Sequence, residues 1–180
     1  MVRALTAALA LVLGACALPG STVAPAGMPA GAPPCPATRG QLVVDRINVI
    51  RLDRGLRPLA IEERLVRAAL AHTADQAGRG AAGVGHVGSD GSAPGDRLTA
   101  AGYTWRLVAE NVAAGIPSAE AVVAGWMDSP PHRATILSPD AVHAGVGYVY
   151  RLDGGPSHYW TLVVAAPRDA ADARLLACHP

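Results

Sequence analysis

His86, Glu110 and His132 are the residues whose types and spacing best suit chemistry in this 180-residue chain. They place two imidazoles and a carboxylate on three separate segments, each about two dozen residues from the next, as when a fold assembles a site from distant strands and loops. Two neutral imidazoles and a carboxylate can ligate Zn²⁺ with open positions, or act as an acid/base pair titrating near neutrality. Ser89 and Ser129 offer hydroxyls close to the histidines in sequence, yet Ser89-Asp90-Gly91 and Ser129-Pro130-Pro131 are also ordinary turn and capping sequences. Neither a helical HExxH pair nor a GxSxG elbow is present, and no cysteine sits in a reactive context. The same His86, Glu110 and His132 could equally form a hydrogen-bonded network that organises a cleft floor without turnover.

The elements that must position these residues are legible from periodicity. Leu42, Val43, Ile47 and Ile50 recur at three- and four-residue steps, and Gly55 and Pro58 are stop signals, which predicts a helix over about 41–54. A second helix is expected over about 62–78, with Leu65, Ala69, His72 and Gln76 on one stripe and Glu62 and Glu63 suiting its positive end. His72 on that stripe reads as a hydrogen-bonded structural histidine. Six glycines from Gly78 to Gly91 then make a long loop that carries His86. A short helix is expected from about Pro94 to Ala101, capped by Ser92 or its neighbour, and another from about Ser118 to Met127 that Pro130-Pro131 stops. A short turn over 132–137 follows. The runs 144–151 and 158–165, joined through Asp153-Gly154-Gly155, predict an antiparallel hairpin.

Composition narrows the partners. Hydrophobic residues make up 51% of the chain while aromatics are only 4% with no Phe, so the core must be built from aliphatic side chains. The net charge is +1 with no basic run, which lacks the electrostatic footprint of nucleic-acid binding. Met1-Val2-Arg3 and the apolar run from Ala4 to Leu13 form a leader too short to span a bilayer as a mature helix. Leu13-Gly14-Ala15-Cys16 resembles a bacterial lipobox, in which Cys16 would be acylated and hold the protein to a membrane; the alternative is an ordinary leader cleaved further on. Either way the chain is expected to be exported. In an oxidising compartment Cys35 and Cys178 would then pair, a staple contributing about 4 to 5 kcal/mol in the chain-entropy model. The expected organisation is a signal peptide over 1–15, a Pro/Gly/Ala-rich tether over 16–40, one domain over 41–168 and a tail over 169–180.

The series Asn48-x-x-Arg51, His86 with Asp90-Gly91, Glu110-Asn111-x-Ala113, Trp126 with Ser129-Pro-Pro-His132-Arg133, Gly145-Val-Gly147 and Tyr159-Trp160-Thr161 resembles bacterial members of the CAP superfamily, the cysteine-rich secretory, antigen 5 and pathogenesis-related 1 proteins. The resemblance covers about residues 41–166. It implies an α+β fold, an α-β-α sandwich with a central antiparallel sheet between helical layers and a cleft over the sheet. It also implies that His86 and His132 match the family's two cleft histidines and Glu110 its first acid, with a divalent metal such as Zn²⁺ as a possible cofactor. The second acid has no match, since Asp128 or Ser129 stands near its place, and Ala109 replaces a glycine before Glu110. The function implied is an envelope-anchored binding module for a small, lipid-like or cell-wall ligand, with His86, Glu110, Ser129 and His132 as ligand contacts. A peptidase-like hydrolase using His86, Glu110 and His132, and a non-catalytic adhesion or scaffold protein, are the alternatives.

Overall fold

The computed structural model describes residues 38–152, 155 and 157–169, all within one compact unit. The expected leader, the acylation site Cys16, the Cys35–Cys178 pair and the tail beyond residue 169 lie outside the described residues, as do Asp153 and Gly154 of the hairpin turn. Helix α1 (Arg39–Leu52) starts inside the stretch expected to be tether, because Thr38 Oγ1 accepts a hydrogen bond from the Gln41 amide (3.1 Å) and caps it there. Helix α2 (Glu63–Arg79) buries the expected stripe of Leu65, Ala69, His72 and Gln76. Helix α3 (Pro94–Ala100) begins with proline in its first turn, and Asp96 Oδ2 accepts from the Ala93 amide at 2.9 Å. Helix α4 (Ala119–Asp128) is capped by Ser118, whose Oγ accepts from Ala121 N at 3.1 Å. The turn expected after it is instead helix α5 (Pro130–Ile136). Proline ends α4, yet in a first helical turn its missing N–H costs no bond, so the same Pro130-Pro131 pair starts the next helix.

Four strands form one sheet: β1 (Ala60–Ile61), β2 (Trp105–Ala114), β3 (His143–Tyr150) and β4 (His158–Pro167), in the order β1-β3-β4-β2. The expected hairpin is β3 against β4, antiparallel, with Tyr150 opposite His158 and His143 opposite Ala165. Strand β2 pairs antiparallel with β4 on the far side, and the short β1 adds a parallel pairing to β3. Strand β2 was not among the expected strands, since Arg106-Leu107-Val108-Ala109-Glu110-Asn111 mixes alanine and charge and shows no clean period of two.

Alternation along β4 divides the core. Trp160, Leu162 and Val164 face Val43 and Ile47 of α1, Val122 and Trp126 of α4 and Ile136 of α5. Val163 and Ala165 face the other way, against Leu65 and Ala69 of α2, Leu98 of α3 and Tyr103. The sheet is therefore sandwiched between two helical layers, as the resemblance implied.

Helix α2 lies against β3 at Gly145 and Gly147. A Cβ on Gly145 would run into the backbone between Leu65 and Val66, and one on Gly147 into the Ala69 carbonyl and Thr73 Oγ1. Backbone cannot give way as a flexible side chain does, so these glycines set the depth at which α2 sits. Gly145→Ala should lower stability by about 2 kcal/mol or more, read as a lower denaturation midpoint at unchanged m-value; a stability equal to the parent protein would count against this close approach.

Candidate functional site

Glu110 sits in β2 with its side chain turned toward α2 and α3, and only 1% of that side chain is exposed. A buried carboxylate is costly unless charged or hydrogen-bonding partners surround it. Here both oxygens are engaged: Oε1 lies 3.0 Å from His86 Nδ1, and Oε2 accepts from Arg97 Nη2 at 2.8 Å. Arg97, in α3, also donates to the carbonyls of His86 (3.1 Å) and Ser92 (2.7 Å), so one guanidinium joins β2, α3 and both ends of the loop that carries His86. The His86 side chain is 52% exposed, with its Nδ1 edge held inward by Glu110.

His72 completes the cluster from α2. Its Nε2 donates to the Gly85 carbonyl at 2.8 Å and lies 3.8 Å from Glu110 Oε1, which fits the hydrogen-bonded helix histidine expected from sequence. The donated Nε2–H leaves a lone pair on Nδ1, which has no hydrogen-bond partner among the described residues although the side chain is fully buried. Burial holds the His72 pKa below its ordinary value, outweighing the opposing pull of the Gly85 hydrogen bond and of Glu110. Beside this cluster runs a groove of about 390 Å³ between α2 and α3, closed at one end by the loop from Gly88 to Ser92.

His132 and Ser129 are not brought to this cluster. Successive residues of a strand point to opposite faces, so while Glu110 faces α2 and α3, the buried Asn111 faces α5 and donates from Nδ2 to the His132 carbonyl at 3.0 Å. Among the described residues the His132 ring makes no hydrogen bond or ion pair, and Ser129 serves as the junction between α4 and α5, its carbonyl accepting from Arg133 N at 2.8 Å. The joint set His86, Glu110 and His132 expected from sequence is thus divided by the sheet. As placed, these residues do not fit Zn²⁺. Both Glu110 oxygens are already engaged, the Arg97 guanidinium beside them repels a cation, and among the described residues no group of three His, Cys, Asp or Glu side chains converges for a metal.

Ala109 occupies the position where the family carries glycine, and its methyl packs on the opposite face against the α1–α4 core, leaving Glu110 in regular strand register with Val163. Arg97 and His72 are the members that sequence reasoning did not assign to the site. The signal for Arg97 was weak, one arginine among fifteen basic residues in a short helix. For His72 it was stronger, a histidine on a buried stripe next to the loop of His86.

Two outcomes follow from this geometry. Glu110→Ala leaves the Arg97 guanidinium buried without its counter-charge and should cost about 3 kcal/mol; the double change Glu110→Gln with Arg97→Met should recover part of that loss, and chemical denaturation of the three proteins checks it. Because the His72 pKa lies below the ordinary 6.5 in the fold, the unfolded chain protonates first as pH falls. The His72 contribution to stability is therefore present above pH 6.5 and is lost as pH drops through the lower folded value. His72→Gln should flatten the decline of the melting temperature in that acid window; an identical slope in both proteins would contradict it.

The model of the cysteine-rich secretory protein family, CAP, matches residues 44–164. The Bacillus subtilis protein YkwD is 36% identical over 107 residues, a stretch that is 59% of this chain and 41% of YkwD, so the chain spans less than half the length of that relative. An extracellular Bacillus anthracis protein containing an SCP domain superposes with a TM-score of 0.62 at 26% identity, over 71% of this chain and 40% of that one. An outer surface protein of Borrelia burgdorferi has the same fold, with a TM-score of 0.65 at 20% identity over 71% of this chain and 92% of its own. The order of motifs from Asn48 to Thr161, the α-β-α sandwich and the family match agree, and the chain belongs to the cysteine-rich secretory protein (CAP) family.

Proposed function

We propose that this protein is an exported CAP domain that works as a binding module, taking a small cell-envelope ligand into the groove between α2 and α3, with His86 in the loop that bounds it. The observation that carries this reading is the burial of Glu110 between His86 and Arg97. A general base needs a lone pair within reach of substrate, whereas this carboxylate is buried with one oxygen on His86 and the other on Arg97. Such a network is suited to holding a loop and a groove in shape. A groove of this volume with a few charged groups at its edge suits a small ligand. Export is supported by the basic and apolar leader and by relatives described as extracellular or outer-surface proteins. Membrane attachment through acylated Cys16 belongs to the same reading.

Soluble fragments of the bacterial envelope titrated into the purified protein should shift resonances of the groove residues, and His86→Ala should weaken that binding by about fivefold or more. Equal affinity for the parent and variant proteins would remove His86 from the site, and release of a cleaved product would favour the hydrolase. Cys16→Ser should move the protein from the membrane to the soluble fraction; unchanged fractionation would contradict acylation.

A further inference from the structure

The groove beside α2 is charged at its two ends and methyl-lined between them. Arg67, Ala71 and Asp75 follow one another at four-residue steps along α2, so they stand on one face of the helix, with Ala68 and His72 beside them. Across the groove stand Arg97 and Ala100 of α3 and Ala101 just beyond its end, the Arg97 guanidinium being committed to Glu110 and the carbonyls of His86 and Ser92. The two helices are fixed at both ends: Arg64 Nη1 donates to the Gly102 carbonyl at 3.1 Å beyond the end of α3, and the amide of Ser89, in the loop before α3, donates to Asp75 Oδ2 at 3.0 Å. The Arg67 end therefore lies beside the end of α3, and the Asp75 end lies beside the loop that carries Asp90.

The charges differ at these ends. Among the described residues Arg67 pairs with Glu63 at 3.3 Å in an exposed contact, which is a weak commitment of its guanidinium. Hydrogen bonds from Ser89 hold the Asp75 carboxyl below its ordinary range, and hydrogen bonds from Ser92 do the same for Asp90; Asp75 also pairs with Arg79 Nη2 at 2.7 Å, so Asp90 is the carboxylate at this end without a cationic partner among the described residues. Between them stands His72, its ring fully buried and its Nδ1, 4.0 Å from Asp75 Oδ2, without a hydrogen-bond partner among the described residues.

We infer that this groove receives a short zwitterionic peptide with small side chains, its ammonium group toward Asp90 and its carboxylate toward Arg67. The inference rests on the binding-module reading and names its ligand class. Length supports it. Eight residues of helix separate Arg67 from Asp75, a rise of about 12 Å, which an extended peptide of three or four residues spans. The lining supports it too, because Ala68, Ala71, Ala100 and Ala101 present small apolar side chains against which methyl groups can pack.

The test is a titration of the purified full chain with Ala-Ala-Ala, N-acetyl-Ala-Ala-Ala and Ala-Ala-Ala-amide, followed by nuclear magnetic resonance. The free tripeptide should shift the amides of Ala71, Asp90 and Ala100. Acetylation and amidation should each weaken binding by about fivefold. The acetylation penalty should shrink in Asp90→Asn, and the amidation penalty in Arg67→Gln. Asparagine retains an acceptor for the Ser92 amide and Arg67 is exposed, so both variants should keep the fold. Capped and free peptides binding equally would overturn the inference. A sugar fragment binding the groove while no peptide does would also overturn it and leave the binding module standing, whereas no binding by any envelope fragment would sink both.

Discussion

The burial of the Glu110 carboxylate is the constraint around which this domain is arranged. A charge removed from water in the middle of a strand is tolerable only when its oxygens meet donors of opposite charge or strong dipoles. Arg97 and His86 supply them, and each comes from a different element. Satisfying one carboxylate therefore docks α3 on the sheet, draws in the glycine-rich loop and fixes which edge of His86 faces outward. The loop needs this tether, since its glycines provide little side-chain packing of their own.

A second constraint comes from the absence of side chains. Gly145 and Gly147 let α2 approach β3 backbone to backbone, which brings His72 within 3.8 Å of Glu110 and sets the wall of the groove. Leu65 and Ala69 then pack on the same strands that carry Glu110's neighbours. On the other face Arg51 plays a comparable part for α5. Fully buried, it donates to the carbonyls of Arg57, Ile136 and Ser138 and ties the end of that helix to α1.

Much of the framework was legible in the sequence because periodicity reports burial directly. The stripe of Leu65, Ala69, His72 and Gln76 predicted α2, and two β-rich runs around Asp153-Gly154-Gly155 predicted β3 and β4. Strand β2 was not legible, because Glu110 and Asn111 are polar residues that become buried only when α3 and α5 cover them. Helix α5 is masked in the sequence because the same proline pair both ends α4 and starts α5.

The residue types themselves determined the family, the helical framework, the loop position of His86 and the candidacy of Glu110. Their spacing along the chain could not say which side of a sheet each would face. That was decided by strand alternation, which turned Glu110 toward α2 and α3 and Asn111 toward α5, separating His132 from the site and admitting Arg97 and His72. Sequence proximity and shared chemistry nominate members of a site. Only the tertiary arrangement selects among them, because the electrostatic cost of burying one carboxylate is met by whichever donors the packed helices bring within reach.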